Sequence, residues 1–516
     1  MGAVRVGRGE WRWAAGFAAV VMAVTAVPYL VAVAAQTPAW RFGGFLVGVD
    51  DSNTYLAKMG QAARGAWLFT PAYTSEPAPG VWLYSFYFLL GKLAGPDSAW
   101  RLLAFHLARL LAGLLALLVS YRFLAEFLPF PRQRRLGLWL TALGGGLGWL
   151  TVVAGVPRLM GELPLDFYSP EAYTFLSLYT LPHLATSRAL FLLGMLAYLR
   201  GRAGWAGLAW LGVSLIQPIH VLTAWAIVGV DWLLGWRSVG RWPAARRAAA
   251  AIGLSAPMVL YTVAVFAFEP VLSAWNRQSQ LPAAHPVHYL LGYGLWALPG
   301  LAGWRVLRRQ PRLARWCLAW GLAVLALILW PVPIQRRLLE GAQLPLVILA
   351  VLGATVIFRQ ARRWLTPALA AASSGTAVFL LAGGLWVAAR PAPPVFQAAD
   401  QLAVLGWVAA QPAAVGGVGL GAYNTGNLIP AYTPLRAYLG LTTETVAFST
   451  KDAQVTAFYQ VATADADRLA LLAAGRITYV FHGPAERALG DFDPARAPFL
   501  RLAFAAGDYA VYEVHR

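Results

Sequence analysis

Cysteine is almost absent from this chain: Cys317 is the single one in 516 residues, and it lies inside an apolar run. A lone thiol excludes an intrachain disulfide and a cysteine-based metal cluster. Histidine is sparse too, with seven residues and no HExxH string or paired spacing, so the usual zinc signatures are missing. No GxGxxG in a strand-to-helix context, Walker loop, Ser-His-Asp string or CxxC occurs, which argues against nucleotide-driven or redox chemistry. No cofactor is expected, and nothing indicates a divalent metal. Charge is the third shortage. Asp, Glu, Lys and Arg make up 12% of the chain against 59% hydrophobic residues, a balance that excludes a soluble fold of this length.

What is present is a succession of apolar runs, each near the ~20 residues that cross a bilayer. They fall at about 13–35, 99–120, 136–156, 184–199, 203–217, 219–235, 248–268, 287–304, 316–332, 343–358 and 365–388. The expectation is an all-α polytopic membrane bundle of about eleven transmembrane helices over residues 1–390. Gln217-Pro218 marks a break that gives either two short helices or one kinked one. The first run is read as a retained helix; Ala32-Val33-Ala34 offers a signal-peptide cleavage site as the alternative.

The net charge of +19 does not point to nucleic acid, because the basic residues share no single patch. Arg5, Arg8 and Arg12 precede the first run, and Arg122, Arg132, Arg134 and Arg135 follow the second. Arg200 and Arg202, Arg237 to Arg247, Arg305 to Arg315 and Arg359 to Arg363 recur at every second loop. That alternation is the positive-inside signature of a multi-pass protein of the inner (plasma) membrane with a cytoplasmic N-terminus. Acids collect in the opposite loops: Asp50, Asp51, Glu76, Glu162, Asp166, Glu171, Glu269 and Glu340. After the last run, Pro391-Ala392-Pro393-Pro394 marks a linker, and residues 391–516 read as a small extracytoplasmic α/β domain. Its elements are a helix at about 396–411, strands near 415–421 and 436–439, helices at about 451–475, a strand from Ile477 to His482, and two last strands at 499–505 and 509–514.

The first outer loop, 36–97, is far longer than a compact bundle needs, and long loops tend to carry function. Asp51-Ser52-Asn53 reads as an N-cap opening a short helix that lies flat at the membrane surface. Residues 81–93 suit an interfacial or re-entrant element. Asp50 and Asp51, beside the bilayer on the side away from the basic loops, are the catalytic candidates, and an N-cap aspartate with an exposed neighbour is the structural alternative. Carboxylates and arginines at one membrane surface suit sugar transfer from a lipid-phosphate carrier: an acid takes the proton of the attacking hydroxyl, and fixed cations receive the departing phosphate. Asp166 and Glu171 are candidates to orient the acceptor or support the base, or else form a polar loop in which Glu171 opens a helix after Pro170. Arg336 and Arg337 break the positive-inside rule and are candidates to grip the phosphate, or snorkel among headgroups. Arg277 has the same two readings, and His183 lies near the predicted outer face. In the C-terminal domain, Tyr423 to Pro430 is rich in turn formers and reads as a connection or a loop over the site.

The strings Asp51-Ser52-Asn53-Thr54-Tyr55-Leu56-Ala57, Ser169-Pro170-Glu171-Ala172-Tyr173-Thr174-Phe175, Arg336-Arg337-Leu338-Leu339-Glu340-Gly341 and Tyr479-Val480-Phe481-His482-Gly483-Pro484-Ala485-Glu486, with this order of features, resemble poorly characterised bacterial members of the GT-C glycosyltransferase superfamily. The resemblance implies a polyprenyl-phosphate-linked sugar donor, a lipid, glycan or protein acceptor, and inversion at the sugar. It also implies a general base on the first outer loop, hence Asp51, which adjoins the helix string, or Asp50. A non-catalytic transporter or scaffold for lipid or polysaccharide export is the alternative. It would favour ionisable residues near mid-membrane, whereas Asp231, the clearest acid within a run, lies near its predicted cytoplasmic end.

Overall fold

The computed structural model describes residues 5–235, 241–357 and 362–515; of the basic loop residues named above, Arg237 and Arg359 lie outside them. Among the described residues, seven helices are long and apolar enough to cross a membrane by length and composition: Arg8–Ala34, Ser98–Leu124, Pro218–Gly235, Trp242–Phe268, Pro311–Leu329, Gln335–Ile357 and Trp364–Ala388. Their outward faces carry side chains such as Val20, Leu30, Leu111 and Leu260, each more than 60% exposed. In water such faces would aggregate, and in a bilayer they meet lipid. The chain is a multi-pass membrane protein. The runs at 184–199, 203–217 and 287–304 are the helices Pro182–Leu199, Ala203–Ile216 and Pro286–Leu307. At Gln217-Pro218 there are two helices, since Pro218 opens the second.

The run at 136–156 departs from expectation. It is two helices, Pro131–Leu143 and Gly148–Val153, parted at Gly144-Gly145-Gly146. Three backbone amides that a continuous helix would satisfy internally are met from elsewhere. Gly145 N–H donates to the Ser373 carbonyl at 2.6 Å and Leu147 N–H to that of Leu291 at 2.8 Å, while Gly146 N–H donates to Asp166 Oδ2 at 3.0 Å. The Thr376 hydroxyl donates to the same oxygen at 2.5 Å. A carboxylate here stands in for a helical carbonyl, which is why an apolar stretch of this length fails to form one helix.

By internal contacts the chain falls into two compact units. One comprises Met1–Val27, His106–Thr262 and Gln280–Gly384; the other comprises Pro28–Phe105, Val263–Ser279 and Leu385–Arg516. The first is helical, with a continuous apolar core that includes Tyr173, Phe191, Trp210, Trp296 and Trp320.

The second unit holds a five-stranded sheet. Its strands follow a two-stranded ribbon in which β1 (Trp40–Phe42) pairs antiparallel with β2 (Phe396–Ala398). The sheet is formed by β3 (Val418–Leu420), β4 (Arg436–Ala437), β5 (Ile477–His482), β6 (Leu500–Ala506) and β7 (Tyr509–Val514), in the order β4-β3-β5-β7-β6. β3 runs parallel to β4 and β5, and β7 is antiparallel to β5 and β6. Successive side chains of β5 point to opposite faces, so Tyr479 and Phe481 pack with Leu405 and Ile429, while Val480 packs with Phe458 and Leu472. Both faces are covered by helix, as a partly parallel sheet requires.

The first outer loop differs in two ways from its reading. Its helix spans Val49–Ala63, beginning two residues before the expected cap, with Gly48 at the N-cap in the left-handed region (φ 57°). Asp50 and Asp51 therefore sit in the first turn and cap nothing. Most of the helix is buried, Ser52 to Thr54 and Leu56 to Gly60 included, so it is enclosed by protein and does not lie open on a surface. Residues 81–93 form an isolated bridge, Phe69 to Val81, and then the helix Ser85–Ala94. In the C-terminal domain, Tyr423 to Pro430 belongs to a helix, Tyr423–Tyr432, and is no loop.

Asp166 is 3% exposed, and removing its acceptor strands two buried donors. Asp166→Ala is expected to cost roughly 1–3 kcal/mol and to lower the thermal midpoint of the detergent-purified protein, with Asp166→Asn, which keeps a carbonyl oxygen, intermediate.

Candidate active site

Within the second unit, three segments distant in sequence converge on the start of the helix Val49–Ala63. A left-handed residue must precede it, and glycine is the residue that adopts φ of 57° without strain. The turn that follows presents both carboxylates at the positive end of the helix dipole. Asp50 is half-buried, and its Oδ2 accepts a hydrogen bond from the Tyr423 hydroxyl at 3.1 Å. Burial, and next the charge of Asp50, push the Tyr423 phenol above its ordinary pKa, so it stays a donor. Asp51 is exposed. One acid is thus anchored while its neighbour faces outward.

Two turns further on, the helix carries a buried cation. Lys58 is 2% exposed, and its Nζ donates to Glu444 Oε1 at 2.9 Å and to Thr54 Oγ1 at 2.8 Å. The Thr54 hydroxyl in turn donates to the Asp51 carbonyl at 2.8 Å, so the ammonium is tied back to the catalytic candidate. Four rings surround it: Tyr84 at 4.3 Å, Phe69 at 5.6 Å, Tyr55 at 5.7 Å and Trp275 at 5.9 Å from the ring centroids. Tyr84 adopts φ of 58°, a conformation that a tyrosine holds only when its surroundings enforce it. Burial raises the Glu444 carboxyl above the ordinary range, Lys58 opposes this, and the nearby charge of Asp51 adds to it. The Trp275 helix, Pro270–Gln278, also bears Arg277, which is exposed and donates to Ser273 Oγ at 2.7 Å. From the same helix Gln278 Nε2 donates to the Thr445 carbonyl at 2.7 Å, next to Glu444.

The other expected site residues lie in the helical unit. Arg336 and Arg337 are half-buried on a 3-10 turn, Gln335–Leu339. The Arg336 guanidinium stacks 4.7 Å from the Tyr168 ring centroid, and the Tyr168 hydroxyl donates to Glu162 Oε2 at 3.0 Å. Asp166 is buried and engaged by Gly146 and Thr376 as described. Glu171 is also buried, with its carbonyl accepting from Arg188 at 2.9 Å. His183 is buried in the first turn of Pro182–Leu199. Among the described residues no three His, Cys, Asp or Glu side chains converge as a metal site would require.

Lys58, Glu444 and Arg188 were not singled out from the sequence, and Tyr423 only as part of the turn-like stretch Tyr423 to Pro430. Two of them left a signal: Lys58 follows Asp51 by seven residues, on the same helical face, and Arg188 interrupts an otherwise apolar run. Glu444 left none, and nothing tied Tyr423 to Asp50, because their partners lie hundreds of residues away.

No protein-family model matches the sequence, and no curated protein does. Solved structures are similar in fold. ArnT from Cupriavidus metallidurans aligns with a TM-score of 0.52 at 16% identity, over 95% of this chain and 97% of that one; the same protein bound to undecaprenyl phosphate gives 0.50 at 15%, over 96% and 98%. The oligosaccharyltransferase AglB from Archaeoglobus fulgidus, in complex with an inhibitory peptide and a dolichol-phosphate, gives 0.51 at 12%, over 89% and 69%. The arabinofuranosyltransferase AftD from Mycobacteria gives 0.54 at 15%, with all of this chain covering 40% of that one. At these identities the likeness is one of fold: this chain has the fold that ArnT, AglB and AftD share.

Breaking the buried ion pair from one side leaves a charge without water or partner. Lys58→Met is expected to destabilise the protein by about 3–5 kcal/mol, and Lys58→Met with Glu444→Gln to recover most of that loss, as read by denaturant unfolding of the purified protein.

Proposed function

We propose that this chain is an integral-membrane glycosyltransferase that moves a sugar from a polyprenyl-phosphate carrier to an acceptor hydroxyl on a lipid, glycan or protein. The observation that carries the reading is the acid pair in a GT-C fold: Asp50 held by Tyr423, and Asp51 left exposed beside it at a helix N-terminus. Support comes also from the similar structures that hold undecaprenyl phosphate and dolichol-phosphate. The alternation of basic loops supports an N-terminus in the cytoplasm of a cell bounded by this membrane, and transfer on the opposite face.

In this reading the acceptor hydroxyl loses its proton to Asp51 as its oxygen attacks the anomeric carbon. The bond from that carbon to the phosphate oxygen breaks on the far side, so the configuration inverts, and the polyprenyl phosphate leaves with the electron pair. Asp50, fixed by the Tyr423 hydroxyl, keeps the helix turn in register. Arg336 and Arg337 receive the phosphate, for which the planar guanidinium fork is suited. No resident cofactor is part of the proposal.

Purified protein in liposomes, supplied with a panel of undecaprenyl-phosphate sugars and a membrane extract as acceptor source, tests it. Asp51→Asn is expected to lower kcat by about 10²- to 10⁴-fold with normal expression and thermal midpoint, and Asp50→Asn to lower it less. Full turnover by the Asp50→Asn, Asp51→Asn double variant would remove the proposal. Arg336→Ala and Arg337→Ala are each expected to raise the KM for the donor about ten-fold or more, the loss of a charge-assisted bond worth roughly 1.5–3 kcal/mol.

A further inference from the structure

Arg188 lies in the apolar helix Pro182–Leu199 and is 2% exposed, and its partner Glu340 is wholly buried. The guanidinium meets the carboxylate as a fork: Nε to Oε1 at 2.7 Å and Nη2 to Oε2 at 2.9 Å. Nη2 also donates to the Pro170 carbonyl at 2.8 Å and the Glu171 carbonyl at 2.9 Å. A buried pair of this kind contributes little stability that apolar packing would not supply. Its value lies in what it holds in place.

Both ends hold segments that bear on Arg336. Glu340 ends the 3-10 turn Gln335–Leu339 that carries Arg336 and Arg337. The next residue, Gly341, has φ of 74°, and a Cβ there would come within 2.8 Å of the Trp320 ring. Thr223 Oγ1 fixes the turn from another helix by donating to the Leu338 carbonyl at 3.2 Å. At the opposite end, the carbonyls taken by Arg188 follow two and three residues after Tyr168, the ring on which Arg336 stacks. Beside the pair, His220 Nδ1 lies 3.0 Å from Ser187 Oγ and 3.6 Å from Glu340 Oε2.

We infer that Arg188 and Glu340 are positioning residues for phosphate binding: together they fix the turn of Arg336 and the Tyr168 segment against each other, so that the half-buried guanidinium is held ready for the carrier phosphate. This rests on the reading that Arg336 and Arg337 receive that phosphate. A residue acting this way governs the phosphate preference and leaves the affinity for an isoprenoid tail alone, whereas loss of a merely structural pair would weaken both.

The full-length protein in nanodiscs, titrated with undecaprenyl phosphate and separately with undecaprenol, distinguishes these. Wild type is expected to prefer the phosphate, and Arg336→Ala to abolish the preference. Glu340→Gln, isosteric and still able to accept from Arg188, is expected to weaken undecaprenyl phosphate about ten-fold with undecaprenol unchanged. Wild-type phosphate affinity in Glu340→Gln, or an equal loss for both lipids, would overturn the inference while the Arg336→Ala result upholds the underlying reading. No phosphate preference in wild type would remove that reading and this inference with it. Should Glu340→Gln not fold, hydrogen exchange of the wild type decides: undecaprenyl phosphate is expected to slow amides at 335–341 and at 169–173 together, and slowing at 335–341 alone overturns the coupling.

Discussion

The contact between Lys58 and Glu444 is the one on which the second unit turns. Both groups have left water, which is affordable only because each meets an opposite charge at 2.9 Å. Removing them from solvent fixes the helix that bears Asp50 and Asp51 against the loop before the helix Phe448–Phe458. The aromatic ring set around Lys58 has the same effect from the other side, with Tyr84 held in a backbone conformation that it would not choose alone. The reactive face proposed here is accordingly rigid where it is anchored, at Asp50, and open where a substrate would approach, at Asp51.

The helical unit solves a different problem with similar means. Its polar groups sit where apolar helices break or end: Asp166 at the glycine-rich interruption of 131–153, Arg188 and Glu340 at the segments around 170 and 340, and Gln343 bonded to Thr174 and to the carbonyls of Leu140 and Gly144. In hydrocarbon a broken helix must have its freed amides and carbonyls satisfied by protein. The buried polar side chains are what let the chain depart from regular helix in the regions where loops carry function.

The architecture was legible because it rests on bulk properties. Runs of apolar residues sum over many positions, so single misreadings cancel, and ten of the eleven runs coincide with helices, seven of which, among the described residues, are long and apolar enough to span. The sheet strands of the last domain were also readable, as in Ile477 to His482, where both faces of the strand are apolar. The failures were local. Asp51-Ser52-Asn53 carries capping residues, yet Gly48 starts the helix, since tertiary packing decided which turn comes first. The Tyr423 to Pro430 stretch reads as turn by composition, and burial of Leu428 and Ile429 against the sheet makes it helix. What no pattern revealed was partnership: nothing near Lys58 announces a glutamate at 444, and nothing near Asp50 announces Tyr423.

The 386 positions between Lys58 and Glu444 have a temporal meaning. A ribosome adding about 5–20 residues per second would need roughly 20 to 80 seconds after making the lysine before its counter-ion exists. Throughout that interval the ammonium has to remain hydrated, so the segment around it stays unclosed until the last domain emerges. Synthesis past Glu444 therefore doubles as the step that can fix the acid-bearing turn, and a product cut short before it would lack the counter-ion that holds Lys58 in place.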